Sequence, residues 1–295
     1  MASAQEYAST REDKTFSLNA AQKIQRFALK ICCTALPSLG LKVALYHFTN
    51  TRKRRPYTLM EFPDQSQSRR LTYGKGYIVA HSWGDGDKII YLVHGWESSS
   101  SMMKGFIAPL IQHGYKVVAF DMPAHGHSSK QATHLRDFSV ALEYVISIYG
   151  EAFGIVAHSF GGTATILLMG EKQHLLPKKL CLISPMRSLY SHLTVFNKIT
   201  GLSESMMTKL LVTLRQHYAL EAQQTDITSF VQDLSIPGLL IHDAHDRLIP
   251  VEVGDHLADS WSSARYIRTQ GLGHRKILTD PLVIQHVTDY MLERL

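Results

Sequence analysis

From about residue 57 onward, the sequence alternates between short apolar runs and longer amphipathic segments. Ile89–Val93 holds five consecutive apolar residues, as expected for a parallel strand buried on both faces. The predicted strands are 57–62, 75–83, 89–93, 115–120, 153–157, 179–183, 238–242 and 265–269. The predicted helices of this region are 101–113, 134–149, 160–170, 251–262 and 281–294. Such alternation predicts an α/β fold with a mostly parallel central sheet and helices on both faces.

Two segments depart from this alternation. Residues 20–48 have helical spacing that is interrupted at Pro37, and residues 186–233 contain no strand-like run. In the second segment Leu189, Leu193, Phe196 and Ile199 share a helical face that ends at Gly201, and Ser203 is suited to cap another helix. The predicted organisation is a basic, partly helical N-terminal extension (1–56), an α/β core (57–185 and 234–295) and a helical lid insertion (186–233).

Length and composition indicate the size of the core and the cellular compartment of the protein. A chain of 295 residues with 45% hydrophobic and 19% charged residues has room for a large buried core. It has no apolar run of roughly 18 residues, and its first 16 residues lack the apolar centre of a secretory signal. Three cysteines form neither a disulfide framework nor a zinc spacing. We therefore expect a cytoplasmic protein.

Positive charge is concentrated near the N-terminus. Residues 1–75 contain 13 Lys/Arg against 5 Asp/Glu, whereas the remaining residues contain 18 against 20. The densest run is Arg52–Arg55, which suits an anionic membrane surface, a nucleic acid or simply a solvated loop. We favour the solvated loop and expect no nucleic acid, and peripheral membrane contact through the basic N-terminal segment is kept as a hypothesis.

The most specific chemical motif is AHSFGG at residues 157–162, between a predicted strand and a predicted helix. A serine hydroxyl is a weak nucleophile, and a sharp strand-to-helix turn presents it without crowding when the residues two before and two after are small. Ala157 and Gly161 meet this demand, although glycine is usual at both positions. The motif predicts Ser159 as a nucleophile.

With its neighbouring motifs, this turn resembles the α/β-hydrolase fold superfamily over roughly residues 70–295. The resemblance rests on His94-Gly95-Trp96, the DMPAHG segment at 121–126, the serine turn, the DRLIP segment at 246–250 and Gly273-His274. Within the superfamily the chain is similar to bacterial serine hydrolases that pair a His-Gly-Trp-Glu loop with a Gly-His-Arg loop. The resemblance implies acyl transfer by a Ser-His-Asp triad.

The other triad members follow from chain order, which in this fold runs serine, acid, histidine. His274 lies after the last predicted strand and is the expected general base. Asp246 and Asp243 both follow the strand 238–242, and Asp246 is preferred because the family's acid precedes a short segment that ends in proline, here Pro250. Asp243 stays open as the alternative.

The oxyanion hole is expected to use the backbone N–H groups of Phe160, directly after the nucleophile, and of Trp96, to which the resemblance points. The side chain of Trp96 is also suited to form a wall of the pocket. Among the 16 histidines, His125 and His127 suggest a metal, but the residues after them supply no further ligands. We expect neither a metal nor another cofactor.

The expected activity is hydrolysis of a small-molecule carboxylic ester through an acyl-enzyme. The apolar residues of the lid suggest a substrate with an apolar portion, although they equally suit packing of the lid onto the core. A thioesterase or an acyltransferase would use the same triad. A non-catalytic binding protein of this fold is the alternative from another class.

Overall fold

The computed structural model describes residues 19–51, 57–58, 62–63, 66–129, 132–220 and 225–292. Its eight strands are β1 (Gln67–Tyr73), β2 (Gly76–Trp83), β3 (Ile89–Val93), β4 (Lys116–Phe120), β5 (Ala152–His158), β6 (Lys179–Ile183), β7 (Gly238–Asp243) and β8 (Ala264–Thr269). They form a single sheet in the order β1-β2-β4-β3-β5-β6-β7-β8. The pairs β1/β2 and β2/β4 are antiparallel, and all other pairs are parallel. The predicted mostly parallel sheet is confirmed.

The strand order places a crevice where the site should be. β3 lies between β4 and β5, so the direction of the crossovers reverses at the β3/β5 pair. In open α/β sheets, ligands bind beyond the carboxyl ends of the strands at such a reversal. Trp96 follows β3 and Ser159 follows β5, so both lie at this edge of the sheet.

Helices cover both faces of the sheet. They are α1 (Ala20–Ala35), α2 (Pro37–Thr49), α3 (Ile107–Gln112), α4 (Leu135–Tyr149), α5 (Phe160–Glu171), α6 (Leu189–Thr200), α7 (Glu204–Tyr218), α8 (Ile227–Gln232), α9 (Val251–Ser260), α10 (Gly273–Lys276) and α11 (Pro281–Met291). In the described part of the chain, no helix is both long and apolar enough to cross a bilayer.

The alternation of side chains along β3 shows how the core divides. Tyr91 and Val93 face a cluster built with α4 and α5, whereas Ile90 and Leu92 face the cluster built with α3 and α11. Because successive side chains of a strand point to opposite faces, an uninterrupted apolar run is required when both faces are covered. This explains why the five-residue apolar runs predicted their strands well.

Two predicted elements differ from the structure, and one strand was not predicted. The described residues of the predicted strand 57–62 belong to no strand; Tyr57 and Phe62 instead pack with Trp83 as isolated aromatic anchors. The first strand is β1, an edge strand whose side chains are mostly exposed and polar, so it lacks an apolar signal. The predicted helix 101–113 begins as a 3-10 helix, Ser100–Phe106, and becomes α-helical only at α3.

The described residues of the lid contain helices α6, α7 and α8 and no strand. As expected, Gly201 ends α6 in a left-handed conformation (φ 63°), and the Ser203 hydroxyl accepts a hydrogen bond from the Met206 N–H at the start of α7. At the base of the lid, Arg187 and Asp226 form a two-point ion pair with an N–O distance of 2.8 Å. The two ends of the lid therefore lie side by side.

The N-terminal helices pack on the lid. Helix α1 contacts α6, and α2 contacts α7. Ala44 and Phe48 of α2 are buried in the same cluster as the lid residues Leu193 and Leu210. The stretch predicted as a helix interrupted at Pro37 is thus a pair of helices that extends the roof over the sheet, while the basic run Arg52–Arg55 lies outside the described residues.

Candidate active site

Ser159 occupies the turn between β5 and α5 in a backbone conformation that is rare for a side-chain-bearing residue, with φ 53° and ψ −125°. Its N–H donates to the Ile183 carbonyl of β6 at 3.0 Å, which fixes the turn against the neighbouring strand. Ala157, where glycine is usual, is fully buried at the end of β5. The structure therefore has the sharp turn that the motif predicts.

Two glycines bring the turn against the loop that follows β3. A Cβ on Gly161 would lie 2.4 Å from the His94 carbonyl oxygen, and a Cβ on Gly95 would lie 2.8 Å from the Ser159 Cβ. Real Cβ atoms do not approach so closely, so any larger residue would separate the two segments. Glycine at both positions keeps the loop in contact with Ser159.

The three predicted triad residues lie together. The His274 Nε2 atom is 3.0 Å from the Ser159 Oγ, and its Nδ1 atom is 2.7 Å from the Asp246 Oδ2. Since an ionised carboxylate only accepts hydrogen bonds, the imidazole donates its Nδ1–H to Asp246 and offers Nε2 to the serine hydroxyl. This is the arrangement in which histidine accepts a proton from serine.

Asp246 is held as an anion. Its Oδ1 accepts hydrogen bonds from the Leu248 and Ile249 N–H groups at 2.8 and 2.9 Å. Burial raises the pKa of Asp246, but the hydrogen bond and the charge of His274, together with the two backbone donors, outweigh burial, so the pKa lies below its ordinary value. A negative charge therefore remains behind the imidazole.

Asp243, the alternative acid, does not contact His274 in this way. Its carboxylate accepts four hydrogen bonds, from the N–H groups of His245, Leu272 and Gly273 and from the Thr269 hydroxyl. Burial raises its pKa, and these donors lower it further than burial raises it. Asp243 joins the loop of the acid to the loop of the histidine and thereby holds their spacing.

The two residues predicted to donate to the oxyanion lie on the two segments that meet at Ser159. Phe160 begins α5 and Trp96 lies in the loop after β3. Among the described residues, neither backbone N–H donates a hydrogen bond to another group. The Trp96 ring packs edge-to-face against Phe160 and against His192 of the lid, at centroid distances of 5.4 and 5.2 Å. Its side chain is therefore a pocket wall.

Two buried histidines support the loop that follows β3. The His94 Nε2 accepts the Met122 N–H at 3.0 Å, so its Nδ1–H donates to the Gly95 carbonyl at 2.7 Å. The His125 Nε2 accepts the Glu97 N–H at 3.0 Å. Burial lowers the pKa of His94, so its ring is neutral at neutral pH. Sequence reasoning considered His125 only as a metal ligand and missed this role.

The remaining polar groups near this loop are also engaged. His127 Nε2 donates to the Tyr57 carbonyl at 2.8 Å, and Asp121 accepts the His127 N–H and the Tyr57 hydroxyl. Asp121 therefore fixes the loop after β4. Within the described ranges, no three His, Cys, Asp or Glu side chains are grouped as metal ligands.

His158 was also missed by sequence reasoning, although it precedes the nucleophile directly. Its Nε2 donates to the His274 backbone carbonyl at 2.9 Å, and the two rings lie 4.7 Å apart. Burial lowers its pKa well below the ordinary value. A neutral His158 ring places no positive charge beside His274, and its hydrogen bond ties the histidine loop to β5.

A cavity of about 140 Å³ opens beside Ser159. Most of its lining is apolar or aromatic and comes from the loop after β3, the lid and α2. These residues include His47, Phe48, Trp96, Met102, Met186, His192, Val195, Phe196, Ile199, Leu248 and Leu278. The sequence indicated the lid but not α2, because the partner of an amphipathic helix cannot be identified from the helix itself.

The comparisons with known proteins agree with this fold. Residues 84–230 match the model of a family described as serine aminopeptidase, S33. The Bacillus subtilis (strain 168) protein named "Uncharacterized hydrolase YugF" is 25% identical over 270 positions, covering 77% of this chain and 98% of that protein. Two solved structures are also similar. Est1E from Butyrivibrio proteoclasticus, with bound ferulic acid, has a TM-score of 0.63 at 17% identity and covers 76% of this chain and 98% of its own. The esterase RhEst1 from Rhodococcus sp. ECU1013 has a TM-score of 0.59 at 16% identity and covers 77% and 98%.

Proposed function

Since this chain belongs to the α/β-hydrolase superfamily, we propose that it is a serine hydrolase that cleaves carboxylic esters with a short apolar acyl group. The observation that carries the proposal is the hydrogen-bonded chain from Asp246 through His274 to Ser159, with distances of 2.7 and 3.0 Å. Nucleophile, base and orienting acid within hydrogen-bond reach are the requirements for acyl transfer from a serine.

The proposed reaction has two halves. The Ser159 Oγ attacks the ester carbonyl while its proton moves to the His274 Nε2, and the N–H groups of Trp96 and Phe160 receive the negative charge of the oxygen. The protonated His274 then gives its proton to the leaving alkoxide, which leaves as an alcohol. In the second half, water loses a proton to the same nitrogen and attacks the acyl carbonyl; the bond between the acyl carbon and the Ser159 Oγ then breaks, His274 returns the proton to the Oγ, and the acid is released.

The size of the cavity supports a short acyl group. Its volume of about 140 Å³ is near that of an engineered apolar cavity of about 150 Å³ that accommodates benzene. An acyl chain of about four to six carbons has a comparable size. The aromatic lining supports an apolar chain, because apolar walls retain apolar groups.

The test is hydrolysis of p-nitrophenyl esters from acetate to palmitate by the wild type, Ser159→Ala and the matched control Ser184→Ala. Ser184 is also buried at positive φ, but its hydroxyl has no partner among the described residues. We expect activity that is highest near butyrate, disappears in Ser159→Ala and is retained in Ser184→Ala. Activity that survives in Ser159→Ala would refute the assignment of the nucleophile.

A parallel substrate panel separates the alternatives. A thioester series, an aminoacyl p-nitroanilide and an ester offered with an alcohol acceptor report thioesterase, aminopeptidase and acyltransferase activity in the same protein. We expect the oxygen esters to have the highest kcat/KM. If every substrate binds without turnover and a fluorophosphonate leaves Ser159 unlabelled, the chain is a non-catalytic binding protein of this fold.

A further inference from the structure

Helix α1 exposes an apolar stripe. Ile24, Phe27 and Ile31 recur at helical spacing and are 70%, 68% and 51% exposed. The opposite side of the helix is anchored, because Leu29 is buried in the main core and α1 contacts both α2 and the lid helix α6. The orientation of the helix on the protein is therefore fixed, and the stripe faces outward as a surface of its own.

Positive charge accompanies this stripe. Lys23 and Lys30 are exposed on α1, and the sequence from Ala20 to Thr49 contains no Asp or Glu. The Arg26 guanidinium lies against Gly201, at the carboxyl end of α6, and so helps to hold α1 on the lid. A helix with exposed apolar residues on one side and lysines beside them is typical of segments that lie in the headgroup layer of a membrane.

We propose that α1 docks this protein onto an anionic lipid bilayer, with Ile24, Phe27 and Ile31 inserted among the headgroups and Lys23 and Lys30 paired with lipid phosphates. Charge complementarity favours this occupant over a second copy of the chain, because two identical faces that each carry lysines and no carboxylate would repel each other. The stripe is apolar enough to insert, and the lysines select the anionic surface.

The position of α1 connects this surface with the active site. Only Leu36 separates α1 from α2, and α2 provides His47 and Phe48 to the wall of the cavity beside Ser159. Docking through α1 therefore brings α2, which lines the cavity, close to the lipid surface. The docking involves no triad residue, so the docking proposal and the ester hydrolysis proposed above can each be refuted without the other.

The experiment is co-sedimentation of the full chain, carrying Ser159→Ala so that no lipid is cleaved, with vesicles of phosphatidylcholine alone or with about one-third phosphatidylglycerol. We expect binding to the anionic vesicles at least about tenfold stronger, and weaker binding when NaCl is raised from about 0.05 M to about 0.5 M. Equal binding to both vesicle types, or no binding to either, would overturn the proposal.

Variants test the two halves of the surface separately. Ile24→Asn/Phe27→Asn/Ile31→Asn should weaken binding about a hundredfold, because three exposed apolar side chains are lost. Lys23→Gln/Lys30→Gln should weaken it about tenfold.

The matched controls are Leu282→Asn, which removes a 66% exposed leucine from α11, and Lys75→Gln/Lys178→Gln, which removes two exposed lysines elsewhere. Controls that weaken binding as much as the α1 variants would refute the assignment to this helix. Sedimentation velocity without lipid tests the other occupant: a wild-type dimer that becomes a monomer in the stripe variant would mean that a second copy covers the stripe.

Discussion

Exchanging each of the two neighbouring carboxylates for an amide should separate catalysis from loop stability. Asp246 and Asp243 are three residues apart and both buried, yet the first faces the imidazole of His274 and the second faces backbone N–H groups. We therefore predict that Asp246→Asn loses activity and keeps its stability, whereas Asp243→Asn loses stability first.

The effect of Asp246→Asn follows from its hydrogen bonds. Asparagine retains one oxygen, which can still accept the Leu248 and Ile249 N–H groups, while its NH2 group faces the His274 Nδ1. That nitrogen must then accept, so the proton moves to Nε2, which can no longer take the proton of Ser159. We expect kcat to fall about 10⁴-fold, as in the serine protease template. The free energy of unfolding should change by less than about 1.5 kcal/mol.

Asp243→Asn should behave differently. One oxygen can keep the His245 and Gly273 N–H groups, but the NH2 group would face the Leu272 N–H, which loses its acceptor, and the Thr269 hydroxyl. The Thr269 hydroxyl can turn to accept from the NH2 group, so one hydrogen bond to a charged group is lost outright, at about 1.5–3 kcal/mol. We expect the free energy of unfolding to fall by about 1.5–3 kcal/mol, which corresponds to a decrease in Tm of about 3–10 °C.

The assay measures thermal unfolding of the wild type and both variants. It also measures their kcat and KM for p-nitrophenyl butyrate, at a temperature about 20 °C lower than the lowest of the three Tm values. The two measurements are independent, because the Asp246→Asn variant is expected to be inactive even though it is folded at the assay temperature. If Asp243→Asn loses 10⁴-fold in kcat with unchanged Tm, or Asp246→Asn stays within tenfold of the wild type, the assignment of the two carboxylates is wrong.

Three further predictions concern stability, the pocket and the loop after β3. Burial lowers the pKa values of His94, His158 and His242. Below about pH 6.5 the unfolded chain therefore binds more protons than the native protein, and the free energy of unfolding should decrease as the pH falls. A free energy of unfolding that stays constant between about pH 7 and pH 5 in denaturant titrations would contradict this. Val195→Phe fills the cavity beside the nucleophile and should lower kcat/KM for butyrate more than for acetate, and an equal loss for both esters would place the acyl chain elsewhere. Gly95→Ala forces a Cβ to within 2.8 Å of the nucleophile's Cβ and should lower kcat about 10²-fold; wild-type turnover in this variant would show that the loop position does not matter.

The elements of the sheet could be predicted because their signals are local. The strands Ile89–Val93 and Lys179–Ile183 have the bounds that the sequence predicted, because a strand buried on both faces is composed almost entirely of apolar residues. The serine turn was equally local, because small residues are needed where it touches the loop after β3. These features depend on neighbours within a few residues.

What could not be predicted depends on contacts between distant segments. The edge strand β1 has exposed polar side chains, so its pairing with β2 replaces the missing apolar signal. The roles of Asp243 and Asp246 differ by the direction in which each carboxylate points, and the sequence placed both in one loop. His47, Phe48 and His158 reach the site only after α2 packs on the lid and the histidine loop folds back over β5.

The ion pair between Arg187 and Asp226 also bears on how this protein could diverge. Because the Ile227 N–H donates to the Arg187 carbonyl at 2.9 Å as well, residues 188–225 leave the sheet and return to it at nearly the same point. Because the free energy of closing a loop depends only weakly on its length, we expect insertions and deletions between the helices of this segment to cost little stability. Exchange of this segment would therefore reshape the pocket while the three proposed catalytic residues keep their positions.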